Sequence, residues 1–209
     1  MCRHCSQVYL ALARVAPRLF GACVVGINGS RHGAEDTWPP FSIMSVSKPF
    51  LYALVCQALR PELARRKLGG TGTSLPFDSA MAIDQSPDRM TNPMVNPGAL
   101  ASTSLVPGNS PEARWRFIHK GLSRFAGSQL ALDEEVYASA RETHHRNQGL
   151  AFLLHGLGRL EAEPVLTTEL YTRQCSLAVT ARELAVMGET LADGGVNPLT
   201  GTRVVDAEV

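Results

Sequence analysis

Two residues that can form a nucleophile and its base, Ser45 and Lys48, stand three positions apart. Positions i and i+3 share one face of a helix, so the two side chains can touch. A partly desolvated lysine loses some of its preference for the charged form and can then accept the serine's proton. The pair therefore predicts nucleophilic attack by Ser45 with Lys48 as its base. The same spacing also fits the polar start of a buried helix, and the pair alone does not separate these interpretations.

The apolar run after this pair predicts the helix that must position it. The run covers Pro49 to Leu59 and is interrupted only by Gln57 among its apolar residues. Proline fits the first turn of a helix and disfavours helical conformation in the residue before it. The predicted helix, about 49–58, therefore begins close to Ser45 and Lys48. Its amino end offers free N–H groups and a partial positive charge to a developing oxyanion.

Turn and cap signals predict the surrounding elements. A strand over 21–27 ends in Asn28-Gly29, a strong hairpin signal, and a second strand returns towards Gly33. A stretch over 68–108, rich in Gly, Ser, Pro and Asn, has little periodicity and is predicted to be a functional or disordered loop. Cap residues and spacing predict further helices over 111–126, 134–143, 147–154 and 181–191.

The predicted strands are too few for a stable sheet. A hairpin alone is marginal in water, and three or more strands are usually needed. The predicted helices look like the cover of a sheet whose remaining strands are not in this sequence. We therefore expect poor stability of the chain on its own.

Composition argues against two classes of partner. The 209 residues are 44% apolar and 19% charged, which is typical of a globular chain. A net charge of +1 without a basic stripe argues against nucleic-acid binding. The longest apolar run is too short to span a membrane.

Five scattered cysteines, an odd number, favour a reducing compartment over a disulfide framework, so we expect a cytoplasmic protein.

The sequence predicts no metal, nucleotide or flavin cofactor. Cys2 and Cys5, with His4 between them, have the spacing of half a zinc site, but no second cysteine pair or paired histidines follow. The glycines around Thr71 lack the Gly-Lys-Ser/Thr ending of a phosphate-binding loop.

Four motifs in a fixed order carry a family resemblance. They are Ser45-x-x-Lys48, NPMVNPGAL at 92–100, Arg146-Asn147, and YTRQCS at 171–176. The segment ADGGVNPLTGTRVV at 192–205 adds an Asp-Gly-Gly loop. On these motifs the chain resembles the serine-dependent glutaminases, whose members read approximately N-P-M-[VI]-N-A-G-A-I at the second motif. That family shares the fold of the β-lactamases and penicillin-binding proteins, where S-x-x-K is the catalytic pair.

The resemblance implies a fold and a reaction. The fold is α/β (α+β), with a helical cluster packed on an antiparallel sheet. The chain would be one glutaminase domain over 1–209, incomplete at its C-terminal end. The reaction is hydrolysis of L-glutamine to L-glutamate and ammonia through an acyl-enzyme on Ser45, with Lys48 as base. A homo-oligomer, dimer or tetramer, is also expected.

The resemblance also implies a set of substrate contacts. They come from Ser45, Asn96, Asn147 and Tyr171, with Tyr9 as a weaker match in a shortened context. Taken without the family, Asn96 fits a turn residue, Asn147 a helix cap and Tyr171 a half-buried core aromatic.

Three departures from the family pattern bear on activity. Ala140 stands where the family has a glutamate that contacts the substrate's ammonium, and Glu142 points in a different helical direction. Loss of that charge-assisted contact should cost about 2 kcal/mol or more in binding. Met44 replaces a common glutamine before the nucleophile. The family's later strands, with a tyrosine near the serine and a Gly-rich segment, have no match in 200–209.

Two alternatives therefore stand beside the glutaminase hypothesis. One is a non-catalytic relic that acts only by binding partners or full-length relatives. The other is a β-lactamase or penicillin-binding relative acting on a different acyl donor. The second would need a Lys-Thr-Gly strand, which the sequence lacks.

Overall fold

The computed structural model describes residues 9–209. The strands are β1 (Gly21–Val25), β2 (Arg31–Glu35), β3 (Phe41–Ser42), β4 (Ala131–Leu132) and β5 (Leu177–Val179). The α-helices are α1 (Lys48–Leu59), α2 (Pro61–Lys67), α3 (Met81–Asp84), α4 (Asn96–Ser104), α5 (Pro111–Ala126), α6 (Glu134–Thr143), α7 (His145–Gly156), α8 (Pro164–Cys175) and α9 (Ala181–Ala192). Short 3-10 helices cover Leu10–Arg14 and Met44–Ser47.

The Asn-Gly hairpin is confirmed. β1 and β2 pair antiparallel, with Gly21 opposite Glu35 at one end. Gly29 in the turn has a φ of 76°, a conformation that glycine adopts without steric cost. The side-chain oxygen of Asn28 accepts a hydrogen bond from the Ser30 N–H at 3.0 Å, which closes the turn.

A second sheet of three short strands was not predicted. β5 lies between β3 and β4 and pairs antiparallel with both. Strands of two or three residues carry too little alternation to be visible in a sequence. This sheet positions the chain that enters the serine-lysine segment, because the Ile43 N–H donates to the Leu177 carbonyl oxygen at 2.8 Å.

The predicted helix boundaries and caps are confirmed in α5, α6 and α9. The side chains of Ser110 and Asp133 accept hydrogen bonds from the first turns of α5 and α6. Thr180 and Glu183 form the predicted capping box of α9. Gly127 ends α5 with a φ of 69°. These local signals determine the helix ends independently of the rest of the fold.

The prediction of a loop throughout 68–108 is wrong over 81–84 and 96–104, because α3 and α4 lie there. All nine residues of α4 are buried. A helix covered on every side shows no amphipathic period, so the pattern that marks surface helices is missing. The hydroxyls of Ser102 and Thr103 donate to carbonyl oxygens four residues earlier, which makes a polar sequence compatible with burial.

Two apolar clusters form the core of the described chain. The larger contains Phe50 of α1 and Phe125 of α5, whose ring centroids lie 5.4 Å apart. The smaller contains Leu100 of α4, Leu150 of α7 and Tyr171 of α8. Helix α8 contributes to both clusters, with Leu170 in the larger and Tyr171 in the smaller.

Candidate active site

Ser45 lies where the chain passes from β3 into α1. The 3-10 helix Met44–Ser47 continues directly into α1, with Pro49 in its first turn. Met44 has a φ of 51°, a conformation that costs a non-glycine residue about 1–3 kcal/mol. Ser45 is exposed at the amino end of this segment. The predicted position of Ser45 is confirmed, and its chemical role stays a prediction.

Lys48 is buried, with only 5% of its surface exposed. Its Nζ donates to Asn96 Oδ1 at 2.8 Å and to the Met94 carbonyl oxygen at 3.0 Å. Burial lowers the pKa of Lys48 from its ordinary value of 10.5, and the nearby Cys175 acts in the opposite direction to a smaller extent. Burial raises the pKa of Cys175 to about 11, so its thiol is neutral at pH 7. Lys48 therefore releases its proton more readily than a surface lysine.

Asn96 joins the candidate residues of three other helices. Its Oδ1 accepts from Lys48 and, at 3.4 Å, from the Tyr171 hydroxyl. Its Nδ2 donates to Asn147 Oδ1 at 3.0 Å. Motif residues separated by up to 123 positions, from Lys48 to Tyr171, thus form one hydrogen-bonded group. Asn96 begins α4 and is buried, so the interpretation of it as a turn residue is wrong.

Tyr171, a member of this group, lies beside Ser45. Burial raises the pKa of Tyr171 well above 10, neighbouring Cys175 raises it further, and a hydrogen bond with the Ser45 hydroxyl acts in the opposite direction. Tyr9 is half-buried beside Tyr171 and Cys175, and burial raises its pKa as well. Among the hydrogen bonds of residues 9–209, none joins Ser45 Oγ to Lys48 Nζ. Lys48 Nζ instead donates to Asn96 Oδ1, which also accepts from the Tyr171 hydroxyl.

Gly98 allows the loop that supplies the Met94 carbonyl to approach α4. A Cβ atom at Gly98 would collide with the carbonyl groups of Asn92 and Thr91. The obstruction is backbone, so it cannot be relieved by a side-chain rotation. The glycine in the NPMVNPGAL motif therefore has a packing reason that the sequence alone did not reveal.

We expect Gly98→Ala to lower the free energy of unfolding by about 2 kcal/mol or more, because the loop over residues 91–94 must move. Displacement of the Met94 carbonyl should also weaken one of the two hydrogen bonds of Lys48. Urea denaturation measures the first effect. Gly188→Ala is the matched control, because Gly188 lies in α9 with open space at its Cβ and alanine favours helix there. Equal stability of the two variants would contradict the packing argument.

Ala140 is buried on α6, and Glu142 is exposed two residues later. The neighbouring Arg141 pairs with Glu169 at 3.3 Å, so these charges satisfy one another. Within the described residues, nothing shows that Glu142 can replace a carboxylate at position 140.

Sequence analysis missed Ser47 and Gln174, which are fully buried polar residues next to the group. Gln174 Nε2 donates to Ser47 Oγ at 2.8 Å. Both residues stand inside quoted motifs, in Ser-Val-Ser-Lys and YTRQCS. The available signal was that both are polar residues within runs of buried residues. That signal does not show that they contact each other, because they are 127 positions apart in the chain.

A cleft of about 890 Å³ lies apart from this group, beside Met44 and between Leu10–Arg14, the hairpin and α9. Its lining is mainly apolar and includes Leu12, Phe20 and Leu184. Ser45, Lys48 and Asn96 do not line it. The cleft is therefore not the candidate active site.

Within residues 9–209, no group of three or more His, Cys, Asp or Glu side chains is arranged to hold a metal ion. Cys2, His4 and Cys5 lie outside the described residues. None of the helices in the described part of the chain has both the length and the apolar character needed to cross a bilayer.

Solved structures define the class of fold. A probable glutaminase, ybaS, aligns with a TM-score of 0.96 and 36% identity, over 100% of this chain and 67% of its own. A probable glutaminase from Bacillus subtilis, complexed with 6-diazo-5-oxo-L-norleucine, aligns with a TM-score of 0.85 and 28% identity, over 98% of this chain and 62% of its own. The chain thus has the mixed helix-and-sheet, β-lactamase-like fold of these proteins, which confirms the expected fold class.

Sequence comparisons define the family. The family model described as Glutaminase matches residues 4–209. Glutaminase 2 of Yersinia pestis is 58% identical over 204 residues, and the glutaminase of Brucella abortus (strain S19) is 43% identical over 196 residues. The chain belongs to the glutaminase family. The alignments cover 98% and 94% of this chain and 60% and 62% of the two relatives, so the chain spans less than two thirds of their length.

Proposed function

We propose that this protein hydrolyses the side-chain amide of L-glutamine to L-glutamate and ammonia. The observation that carries the proposal is the position of Lys48. It is buried, lies three residues after the exposed Ser45, and donates a hydrogen bond to Asn96. A lysine with a lowered pKa, held by neutral acceptors, is suited to accept a proton from a serine. Membership of the glutaminase family supports L-glutamine as the substrate.

In the proposed acylation step, Ser45 Oγ attacks the carboxamide carbon and its proton passes to neutral Lys48. The C–N bond then breaks, and the departing nitrogen takes a proton from Lys48 and leaves as ammonia. Backbone N–H groups at the amino end of the helical segment, that of Ser45 included, hold the oxyanion. In the second step, water attacks the ester carbon, which restores the Ser45 hydroxyl and releases glutamate.

We assign substrate recognition to Asn96, Asn147 and Tyr171, with Tyr9 at the edge of the group. Asparagine offers both a donor and an acceptor, so such residues can hold the ammonium and carboxylate of glutamine apart from the reacting amide. The bound 6-diazo-5-oxo-L-norleucine of the Bacillus subtilis protein supports an amino-acid-sized site in this fold.

Because residue 140 is an alanine and not an acidic residue, we expect weak binding of L-glutamine. Without an acidic group at this position, the substrate ammonium lacks the charged contact that the family resemblance implies there, which corresponds to about 2 kcal/mol of binding. We therefore propose a high KM for L-glutamine, about 30-fold above that of the Ala140→Glu variant.

Two further features of the working protein are proposed. A homo-oligomer, dimer or tetramer, is supported by the exposed apolar side chains of Val24 and Ile27 on the hairpin. A cytoplasmic location is supported by the free thiols of Cys23, Cys56 and Cys175.

The test is ammonia release from L-glutamine by the purified 209-residue chain. L-Asparagine serves as the substrate control, and the Ser45→Ala protein, prepared in parallel, serves as the blank. The proposal predicts release from L-glutamine above the blank and a lower KM for Ala140→Glu. A folded chain that releases no ammonia, with or without Ala140→Glu, would contradict it and favour the alternative of a relic that acts only by binding.

A further inference from the structure

The peptide group between Met44 and Ser45 sets the direction of the Ser45 N–H. A trans peptide points its carbonyl and its N–H in opposite directions. Any contact that holds the Met44 carbonyl therefore also aims the Ser45 N–H. This peptide follows the positive φ of Met44, where the backbone needs support from its surroundings.

A buried pair of side chains provides that support. Ser47 Oγ donates to the Met44 carbonyl oxygen at 2.7 Å. Serine hydroxyls often form such local bonds, but here the hydroxyl oxygen also accepts from Gln174 Nε2 at 2.8 Å. The Ser47 hydroxyl thus donates to the Met44 carbonyl while it accepts from Gln174. Both Ser47 and Gln174 have 0% exposure, so water does not compete for either bond.

If the Gln174 side chain only filled space, its polar amide would destabilise the fold relative to an apolar side chain. Its Oε1 is buried without a hydrogen-bond partner among the described residues. A buried acceptor that stays unpaired loses its hydration without compensation. A methionine of similar length would fill the same volume in α8 without that loss. The side chain therefore needs another reason to be polar, and its only bond in the described structure is the one to Ser47.

We propose that Gln174 and Ser47 act together as positioning residues that hold the Met44–Ser45 peptide and aim the Ser45 N–H at the reacting carbonyl oxygen. This inference rests on the proposed function for its effect on rate. Gln174 does not touch the substrate, and it acts on Ser45 only through Ser47 and the Met44 carbonyl. Misaligned oxyanion donors slow the chemical step more than they weaken substrate binding.

The test uses Gln174→Met, Ser47→Ala and the double variant in the full chain. We expect each single variant to lower kcat by about 10- to 100-fold, with KM within about threefold of the parent. The double variant should be no slower than the slower single variant, because both substitutions break one chain of bonds. The melting temperature of Gln174→Met should stay within about 4 °C of the parent. Thr168→Val, which removes a buried hydroxyl from the same helix, is the control and should leave kcat unchanged.

Three results would overturn the inference: unchanged kcat in both single variants, additive losses in the double variant, or a loss of kcat that follows a loss of stability. If the parent chain itself releases no ammonia, the proposed function fails, and a crystal structure of Ser47→Ala then tests positioning alone. The inference predicts that Met44 leaves its positive φ in that structure. A Met44–Ser45 peptide unchanged from the parent would contradict it.

Discussion

Ser45→Ala is expected to reduce ammonia release from L-glutamine by about 10⁴-fold or more. Removal of a nucleophile leaves only substrate binding and oxyanion stabilisation, which give a small residual rate. Ser45 is exposed and its hydroxyl has little part in packing, so the fold should tolerate alanine there. Steady-state assays of ammonia release, with the melting temperature measured in parallel, check both expectations.

Ser104→Ala is the matched control for this substitution. Ser104 is buried in α4 and donates to the Ala101 carbonyl oxygen, away from the Lys48–Asn96 group. It should lose stability without a comparable loss of kcat. Retention by Ser45→Ala of more than about a hundredth of the parent kcat would exclude Ser45 as the nucleophile.

Lys48→Met is expected to lower kcat by about 10³-fold, within the usual range for loss of a general base. In the parent, kcat/KM should rise with pH through the pKa of Lys48, which burial places below 10.5. That rising limb should be absent in Lys48→Met. Lys67→Met is the control, because Lys67 is a partly exposed lysine paired with Glu161 outside the site. A rising limb with the same midpoint in Lys48→Met would assign it to another group.

The lowered pKa of Lys48 also predicts the sign of a stability effect. Between the pKa of Lys48 in the folded protein and 10.5, the unfolded chain binds more protons at this residue than the folded chain does. The free energy of unfolding therefore increases as pH rises through this window. Below the window the destabilisation caused by burying the charged Lys48 is fully present. Lys48→Met should lack this contribution and remain folded at pH 7. The loss of activity would then not come from unfolding.

The serine-lysine pair could be predicted because its signals are local. The i, i+3 spacing and Pro49 place Ser45 at a helix start without knowledge of the rest of the fold. Asn96, Asn147 and Tyr171 could be named only from motif order, since their meeting depends on how α4, α7 and α8 pack. The sequence also could not show that Lys48 bonds to Asn96 rather than directly to Ser45.

Long-range and fully buried features escaped prediction for physical reasons. α4 lacks an apolar stripe because it is covered on all sides, and the strands β3, β4 and β5 are too short to show alternation. The Gln174–Ser47 bond joins residues far apart in the chain, so neither residue's neighbours indicate it. The effect that we expect of Ala140 rests on the family resemblance alone, because nothing about a buried helical alanine points to a substrate contact.

Capture of the acyl-enzyme by hydroxylamine tests the central claim most directly. If glutamine passes through an ester on Ser45, hydroxylamine competes with water for it and yields γ-glutamyl hydroxamate. L-Glutamine and the γ-methyl ester of L-glutamate differ only in the leaving group. After subtraction of the enzyme-free reaction, the account predicts the same ratio of hydroxamate to glutamate from both, and no hydroxamate above the enzyme-free rate from either with Ser45→Ala. Ammonia release from L-glutamine without hydroxamate, or different ratios from the two substrates, would contradict a shared acyl-enzyme on Ser45.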